Sequence, residues 1–145
     1  MPTVSRDFVV SAPPSQVLTY LKDFGNAERW DPGTQRCDRV DTGPVQVGSR
    51  WRNTSRILGR STELDYVLRE ATDDTLVFEG RNDASTSVDT IVVTEAPDGA
   101  RISYRADLRM HGLAVLLAPA MKLVFEKLAT DTEKQMTRVL NDLAA

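Results

Sequence analysis

Cysteine, histidine and excess positive charge are scarce in this sequence, and each shortage excludes a class of protein. The single cysteine, Cys37, excludes an internal disulfide and a metal site built from several thiolates. The single histidine, His111, makes a poor metal site because no second histidine or cysteine accompanies it. A net charge of −3 provides no basic field that would attract nucleic acid. We therefore expect no metal, no cofactor and no nucleic-acid partner.

Long apolar runs are also missing. The first residues lack the apolar stretch of a secretory signal, and the longest uncharged run towards the C-terminal end, residues 111–121, is too short to span a bilayer. With 145 residues, 41% hydrophobic and 27% charged, the chain has the size and composition of one soluble globular domain. We expect a cytoplasmic protein without stable membrane insertion, folded as a single domain over residues 1–145.

What the sequence does contain is a long amphipathic segment, residues 113–143. At 100° per residue, its apolar side chains fall on one broad face that the charged side chains avoid. This face comprises Leu117, Met121, Val124, Phe125, Leu128, Met136, Val139 and Leu143. Because proline inside a helix costs about 3 kcal/mol except in the first turn, the continuous helix is expected to start near Pro119, after a looser piece over residues 112–118.

The residues before this segment have the pattern of consecutive strands. Residues 4–10 alternate and are followed by Pro13 and Pro14, which predicts a strand and then a helix start. Apolar residues at helical spacing predict one short helix that Gly25 ends, and residues 26–30 predict one further helical turn. Alternating segments between turn residues predict six more strands, at residues 35–41, 48–58, 61–71, 75–82, 86–95 and 100–110.

This order of elements predicts an α+β fold. A curved antiparallel sheet of about seven strands would wrap around one long C-terminal helix, with two short helices after the first strand. A sheet with one apolar face needs a cover, and the C-terminal segment is the only element long enough to provide it. A bent sheet closed by one helix often leaves its interior unfilled, and an apolar hollow of this kind is typical of small-molecule pockets.

Several stretches of the chain resemble a known family. They are residues 4–17, residues 23–32, residues 47–51, residues 76–80 and residues 98–108 before Gly112. On these stretches the chain resembles the START-like superfamily with its helix-grip fold, and within it the polyketide cyclase/dehydrase and lipid-transport branch, often called SRPBCC proteins. The resemblance covers nearly the whole chain and implies a ligand-binding domain with a lipophilic cavity. Members range from ligand carriers to aromatase/cyclases, so it implies no particular reaction.

Nine residues are the candidates for the lining of this pocket: Trp30, Trp51, Tyr66, Phe78, Tyr104, Met110, Leu117, Met121 and Phe125. Aromatic residues of a small domain usually fill its core, and here core and pocket share the concave face, so both roles stay open. Tyr66 and Tyr104 are the stronger candidates because each adds a hydroxyl to an apolar wall. Asn53, Ser55 and Asn82 could orient a ligand, or could be turn or edge residues.

No residue is assigned a catalytic role. His111 has no identifiable partner for general base catalysis, and we interpret it as a strand-end residue at the rim of the cavity. Cys37 has no base in the sequence to activate it, and we interpret it as a small buried hydrophobe. The arginines of residues 50–60 could form a phosphate or headgroup patch, but the neighbouring acids and the net charge favour a solvated outer face.

These patterns favour a protein that binds a hydrophobic small molecule, such as a lipid, a polyketide or an aromatic compound, between the sheet and the C-terminal helix. One alternative is an enzyme of the cyclase/dehydratase kind. It would need a buried ionisable group with a shifted pKa facing the pocket, and the sequence shows none. A second alternative is an interaction module that uses the apolar surface of residues 113–123 above a filled cavity. The same surface could also be a pocket lid or a homodimer contact.

Overall fold

The computed structural model of the protein describes residues 3–57 and 59–144, except for the side chains of residues 117 and 118. Within these residues the strands are β1 (Thr3–Val10), β2 (Thr34–Arg39), β3 (Arg50–Ile57), β4 (Arg60–Ala71), β5 (Thr75–Arg81), β6 (Ser85–Ala96) and β7 (Gly99–Met110). The helices of the same residues are α1 (Pro14–Lys22), α2 (Ala27–Trp30) and α3 (Ala118–Asp142), with 3-10 turns at Phe24–Asn26 and Gly112–Leu117.

The strands of the described residues form one antiparallel sheet in the order β1-β7-β6-β5-β4-β3-β2. Strands β2 to β7 are therefore a meander, and β1 pairs with the last strand to complete the sheet. Register shifts in β2 and β4 mark bulges, which bend the strands that carry them. The predicted helix-grip architecture is confirmed, and the ends of the predicted strands differ from the observed ones by no more than two residues.

The strands have one buried and one exposed face, because successive side chains of a strand point to opposite sides of the sheet. In β7 the buried Ile102 and Ala106 alternate with the exposed Arg101 and Arg105. This alternation fixes the face on which α3 packs.

The start of α3 follows from two residues of its sequence. Gly112 takes a φ of 58°, in the left-handed region that favours glycine, and so turns the chain from β7 into the 3-10 segment. Helix α3 then begins at Ala118, which places Pro119 in its first turn, where proline is tolerated. The predicted division into a looser piece and a continuous helix is confirmed.

Helix α3 packs against the core from Ala129 onwards, since its buried residues among those described are Ala129, Thr132, Met136 and Leu140. The Arg6 Nη2 group donates to the carbonyl oxygen of Glu126 at 3.0 Å, and the Gln135 Nε2 group donates to the carbonyl oxygen of Arg29 at 2.6 Å. Met136, one residue after Gln135, is fully buried. The first half of α3 therefore lies over a part of the sheet that the core does not fill.

The core itself is an aromatic cluster centred on Phe24. The Phe24 ring lies 6.0 Å from Trp30, 6.1 Å from Trp51, 4.4 Å from Tyr66 and 4.5 Å from Phe78, measured between ring centroids. Edge-to-face and tilted pairs of this kind stabilise a core beyond the area that they bury. The cluster fills one half of the inner face of the sheet.

Candidate functional site

A cavity of about 470 Å³ lies between the other half of the inner face and the first half of α3. Its volume lies within the roughly 300–1,000 Å³ that is typical of small-molecule pockets. Most of its wall is apolar, and exposed lining residues mark its open end, among them Arg60, Ala84 and Ala120. The aromatic core lies at its opposite, inner end, where Tyr66 packs against Phe24.

The predicted pocket residues divide between this cavity and the core. Those that line the cavity are Tyr66, Tyr104, Met110, Met121 and Phe125. Leu117 was also a candidate, but its side chain lies outside the described residues. Among the polar candidates, Ser55 and Asn82 line the cavity. Asn53 is buried away from the lining, and its Nδ2 group donates to Thr34 Oγ1 at 3.0 Å.

Three of the predicted pocket residues, Trp30, Trp51 and Phe78, lie outside the lining of this cavity. All three side chains are fully buried in the aromatic core. Trp51 and Phe78 do point to the inner face, as the alternation of their strands predicts. The 3-10 turn that carries Phe24 covers this half of the face, so the rings contact one another instead of the cavity.

The position of the Tyr66 ring depends on the absence of a side chain at Gly80. The two residues are paired between β4 and β5, and a Cβ atom at Gly80 would lie 2.5 Å from the Tyr66 Cζ atom. The absence of a side chain at Gly80 thus leaves room for the Tyr66 ring to lie across β5. Because Gly80 pairs in turn with Ser87 of β6, the ring carries its hydroxyl towards β6.

A group of polar side chains interrupts the apolar wall at the inner end of the cavity. Asp89 and Ser87 project from β6, Tyr104 projects from β7, and Asp31 comes from the turn between α2 and β2. Asp89 is only 6% exposed, and its carboxyl group accepts a long hydrogen bond of 3.4 Å from Ser87 Oγ. A carboxyl group that is so buried needs a partner in its ionised form.

Burial changes the acidity of this group of side chains. Burial raises the pKa of Asp89 to about 7, the negative charge of Asp31 adds to the rise, and the Ser87 hydroxyl opposes it. Burial also raises the pKa of Asp31, although hydrogen bonds from the Gly33 N–H and the Thr34 hydroxyl counteract the shift. Asp89 therefore changes charge near neutral pH.

The pKa values of the two tyrosines of this group are shifted in the same direction as that of Asp89. Burial raises the pKa of both Tyr66 and Tyr104 well above the usual value, and the negative charge of Asp89 adds to each rise. Both phenols therefore stay protonated, and each offers an O–H donor and an oxygen acceptor to the cavity.

The interpretation that no buried ionisable group faces the pocket is therefore wrong, and the sequence contained a signal for it. Asp89 shares the alternation of the buried Ile91 and Val93 in β6, so its side chain has to point inwards. An acidic residue on an apolar face is rare unless it is paired or functional. Asp31 carried no such signal, because it belongs to an Asp-Pro-Gly turn in which aspartate is common.

Three of the remaining candidates, His111, Cys37 and Arg52, are not among the residues that line the cavity. His111 Nε2 is hydrogen-bonded to Thr86 Oγ1 at 2.8 Å, and His111 is not among the lining residues. Cys37 is buried, and burial raises the pKa of its thiol to about 12. Arg52 is exposed on the outer face of β3, where its Nε atom lies 3.2 Å from Asp65 Oδ1. This geometry is that of a solvated ion pair.

The segment between β7 and α3 and the first turns of α3 have an apolar outer surface. Its strongly exposed residues are Leu113, Val115, Leu116 and Leu123, and Leu113 is 87% exposed. On its inner side, Ala114, Ala120 and Met121 line the cavity. The interaction-module alternative requires a filled cavity beneath this surface, and the side chains of the described residues leave that cavity unfilled.

Within residues 3–57 and 59–144, no group of three or more His, Cys, Asp or Glu side chains could hold a metal ion. No helix in the same ranges is long and apolar enough to cross a membrane.

Comparison with solved structures finds this architecture in several bacterial proteins. The protein TTHA0849 from Thermus thermophilus superposes with a TM-score of 0.83 at 14% identity, over 99% of this chain and 100% of that one. A START superfamily protein from Mycobacterium smegmatis has a TM-score of 0.80 at 15% identity, over 97% and 98% of the two chains. The Zhui aromatase/cyclase from a Streptomyces species has a TM-score of 0.77 at 11% identity, over 98% and 93%. At these identities the likeness shows the fold alone.

A search of curated proteins found no match. The model of one protein family, described as polyketide cyclase/dehydrase and lipid transport, matches residues 1–145.

Proposed function

This chain belongs to the polyketide cyclase/dehydrase and lipid-transport family, and we propose that it binds one hydrophobic small molecule in the cavity between the sheet and α3. The ligand would be a lipid, a polyketide or an aromatic compound. The observation that carries the proposal is a mostly apolar cavity of about 470 Å³ that is open at one end. Atoms that line an unfilled space lose the contacts that a packed core would give them, and a bound ligand restores those contacts.

The two ends of the cavity contribute to ligand binding in different ways. Apolar side chains such as Leu108, Met121 and Phe125 contribute affinity by removing ligand surface from water, at about 25 cal/mol per Å². The hydroxyls of Tyr66 and Tyr104 orient the ligand at the inner end, where polar side chains interrupt the otherwise apolar wall.

The proposal is tested by native mass spectrometry of the protein purified from its own host, followed by solvent extraction. A stoichiometric lipophilic adduct would support the proposal and name the ligand class. The cavity-filling variant Ala106→Leu should lose the adduct, because Ala106 lines the cavity. Thr90→Leu adds similar bulk to the outer face of the neighbouring strand and should keep it.

Bare protein would call for a second step, which is incubation with a panel of lipids and polycyclic aromatic compounds. Uptake of a panel member by the unaltered protein, and not by the filled variant, would support the proposal. If no member of the panel were taken up, the cavity would not be a ligand site and the proposal would fail.

One observation favours a second candidate function, an enzyme of the cyclase/dehydratase kind. Asp89 faces the cavity, and its raised pKa of about 7 suits a group that gives and takes protons near neutral pH. In this case Asp89→Asn would abolish turnover of a bound polyketide while ligand uptake persisted. Equal turnover by the variant and the unaltered protein would exclude Asp89 as the proton carrier.

Three expectations from the sequence accompany the proposal. We propose that residues 1–145 act as one ligand-binding domain and that the protein is cytoplasmic. A homodimer formed through the apolar outer surface of residues 113–123 is a further prediction, which sedimentation velocity would test.

A further inference from the structure

The inner end of the cavity gathers carboxyl groups without a basic side chain to balance them. Asp31 and Asp89 both line this end. Among the lining residues that the structure describes, Arg60 is the sole basic one, and it is exposed at the open end. A carboxylate buried without a counter-charge is unfavourable, and buried charges in proteins are normally paired. What the inner end lacks is a positive charge.

Three polar side chains at this end are almost fully buried and have little bonding of their own. Asp89 and Tyr66 are each 6% exposed, and Tyr104 is 9% exposed. Among the described residues, the hydrogen bond of 3.5 Å or less that reaches Asp89 is the long bond from Ser87. The hydroxyls of the tyrosines make only looser polar contacts, Tyr104 with Asp89 and Tyr66 with Ser87. Oxygen atoms of all three side chains are thus available to a molecule in the cavity.

We propose that the cavity selects an apolar ligand that carries a protonated amine, with the ammonium group seated among Asp89, Tyr66 and Tyr104. This inference rests on the proposed function, since it requires the cavity to admit an apolar molecule. An ammonium group has three N–H donors and no acceptor, which matches three oxygen acceptors. Where Asp89 holds its proton, binding of the cation releases that proton to solvent, and an ion pair takes its place.

The surroundings of Asp89 favour a cation over an anion on every side. Asp31 faces it from the turn before β2, and the two tyrosines face it from β4 and β7. On the side of α3, lining residues such as Ala129 and Thr132 carry no charge. Asp107 lies on the other face of β7, where it is paired with Arg105 at 3.1 Å, so its charge adds little to the field at Asp89. A ligand with a free carboxylate would be repelled at this end of the cavity.

The test compares two probes that share one ring system, naphthylmethylamine and naphthalenemethanol, by isothermal titration calorimetry with the full chain. The amine should bind about ten- to a hundredfold more tightly, since a hydrogen bond to a charged group is markedly stronger than one between neutral groups. In two buffers of different ionisation enthalpy, the amine should release roughly half a proton at neutral pH, and the alcohol none. Asp89→Asn should remove both the preference and the proton release.

Two variants control this comparison. Asp65→Asn removes the same charge from the outer face of β4 and should preserve the preference for the amine. Tyr104→Phe removes one acceptor and should reduce the preference, which gives an independent readout if Asp89→Asn fails to fold.

The outcomes separate this inference from the proposal on which it rests. If the alcohol binds and the amine binds no more tightly, the amine inference is overturned and the apolar cavity stands. If neither probe binds, the amine inference is overturned, and uptake from the panel of lipids and polycyclic aromatic compounds decides the proposed function. A preference for the amine that persists in Asp89→Asn would also overturn the inference, because the positive charge would then be recognised elsewhere.

Discussion

Replacing Asp89 by asparagine should stabilise this protein at neutral and basic pH. The amide has nearly the same shape as the carboxyl group and its oxygen can still accept the hydrogen bond from Ser87. It carries no charge, so the unfavourable burial of an ionised carboxyl inside the cavity disappears. The size of the gain follows from the raised pKa of Asp89.

The sign and the magnitude can be worked out from that value. The pKa of Asp89 rises from 3.8 to about 7 on folding. Between these values the unfolded chain has lost the proton while the folded protein keeps it, so the free energy of unfolding falls as the pH rises through this window and is constant above it. Between about pH 5 and pH 8 the loss amounts to about 2–3 kcal/mol. Burial raises the pKa of Asp31 as well, which acts in the same direction.

Urea denaturation at several pH values, followed by the fluorescence of the buried Trp30 and Trp51, measures this effect. The advantage of Asp89→Asn over the unaltered protein should grow with pH. Asp65→Asn, which removes an exposed carboxylate from the outer face, should change the free energy of unfolding by less than about 1 kcal/mol. Parallel pH profiles for Asp89→Asn and the unaltered protein would refute the buried ionisation of Asp89.

Three further predictions concern the core and the cavity wall. Gly80→Ala should reduce the free energy of unfolding by about 1–3 kcal/mol because the new Cβ displaces the Tyr66 ring. Gly33→Ala is the control, because the nearest atom to its new Cβ would be at an ordinary contact distance of 3.5 Å, and it should leave the free energy of unfolding nearly unchanged in the same assay. Equal losses of stability in the two variants would contradict the close contact between a Cβ at Gly80 and the Tyr66 ring. Phe24→Ala should cost about 3–5 kcal/mol, since the ring lies at the centre of the aromatic core; a loss below about 1 kcal/mol would show that this core is loosely packed. Cys37 should resist a thiol reagent in the folded protein and react after unfolding in urea, because burial raises its pKa to about 12. Rapid labelling of the folded protein would contradict that burial.

The architecture could be predicted from the sequence because its signals are local. Alternation along each strand, turn residues between strands and the long apolar stripe of α3 each involve residues that are near in the chain. Pro119 is also a local signal, and it predicted where α3 starts because a proline is tolerated in the first turn of a helix and is disruptive later.

The division between core and cavity could not be predicted in this way. Alternation shows which face of the sheet Trp51 and Phe78 occupy, but not which half of that face another element covers. That depends on where the 3-10 turn with Phe24 packs, a contact between residues far apart in the chain. The aromatic side chains under this turn became core, and Tyr66 and Tyr104 reached the cavity.

The chemistry of the inner end depends on contacts of the same long-range kind. Alternation alone could have placed Asp89 on the buried face, but its raised pKa also depends on Asp31, which is 58 positions earlier in the chain and reaches the cavity from a turn. The sequence predicts Asp31 as a turn residue, and the structure shows that it also forms part of the cavity wall.

The measurement that tests the ligand-binding cavity most directly is a titration with naphthalenemethanol, followed by NMR of protein labelled with ¹³C at the methionine methyl groups. Met110 and Met121 line the cavity, whereas Met136 is fully buried and is not among the lining residues. A ligand in the cavity should shift the Met110 and Met121 signals saturably, with one site per chain, and leave Met136 nearly unchanged. Signals of Met110 and Met121 that stay in place, or that drift together with Met136 without saturation, would contradict a binding site between the sheet and α3.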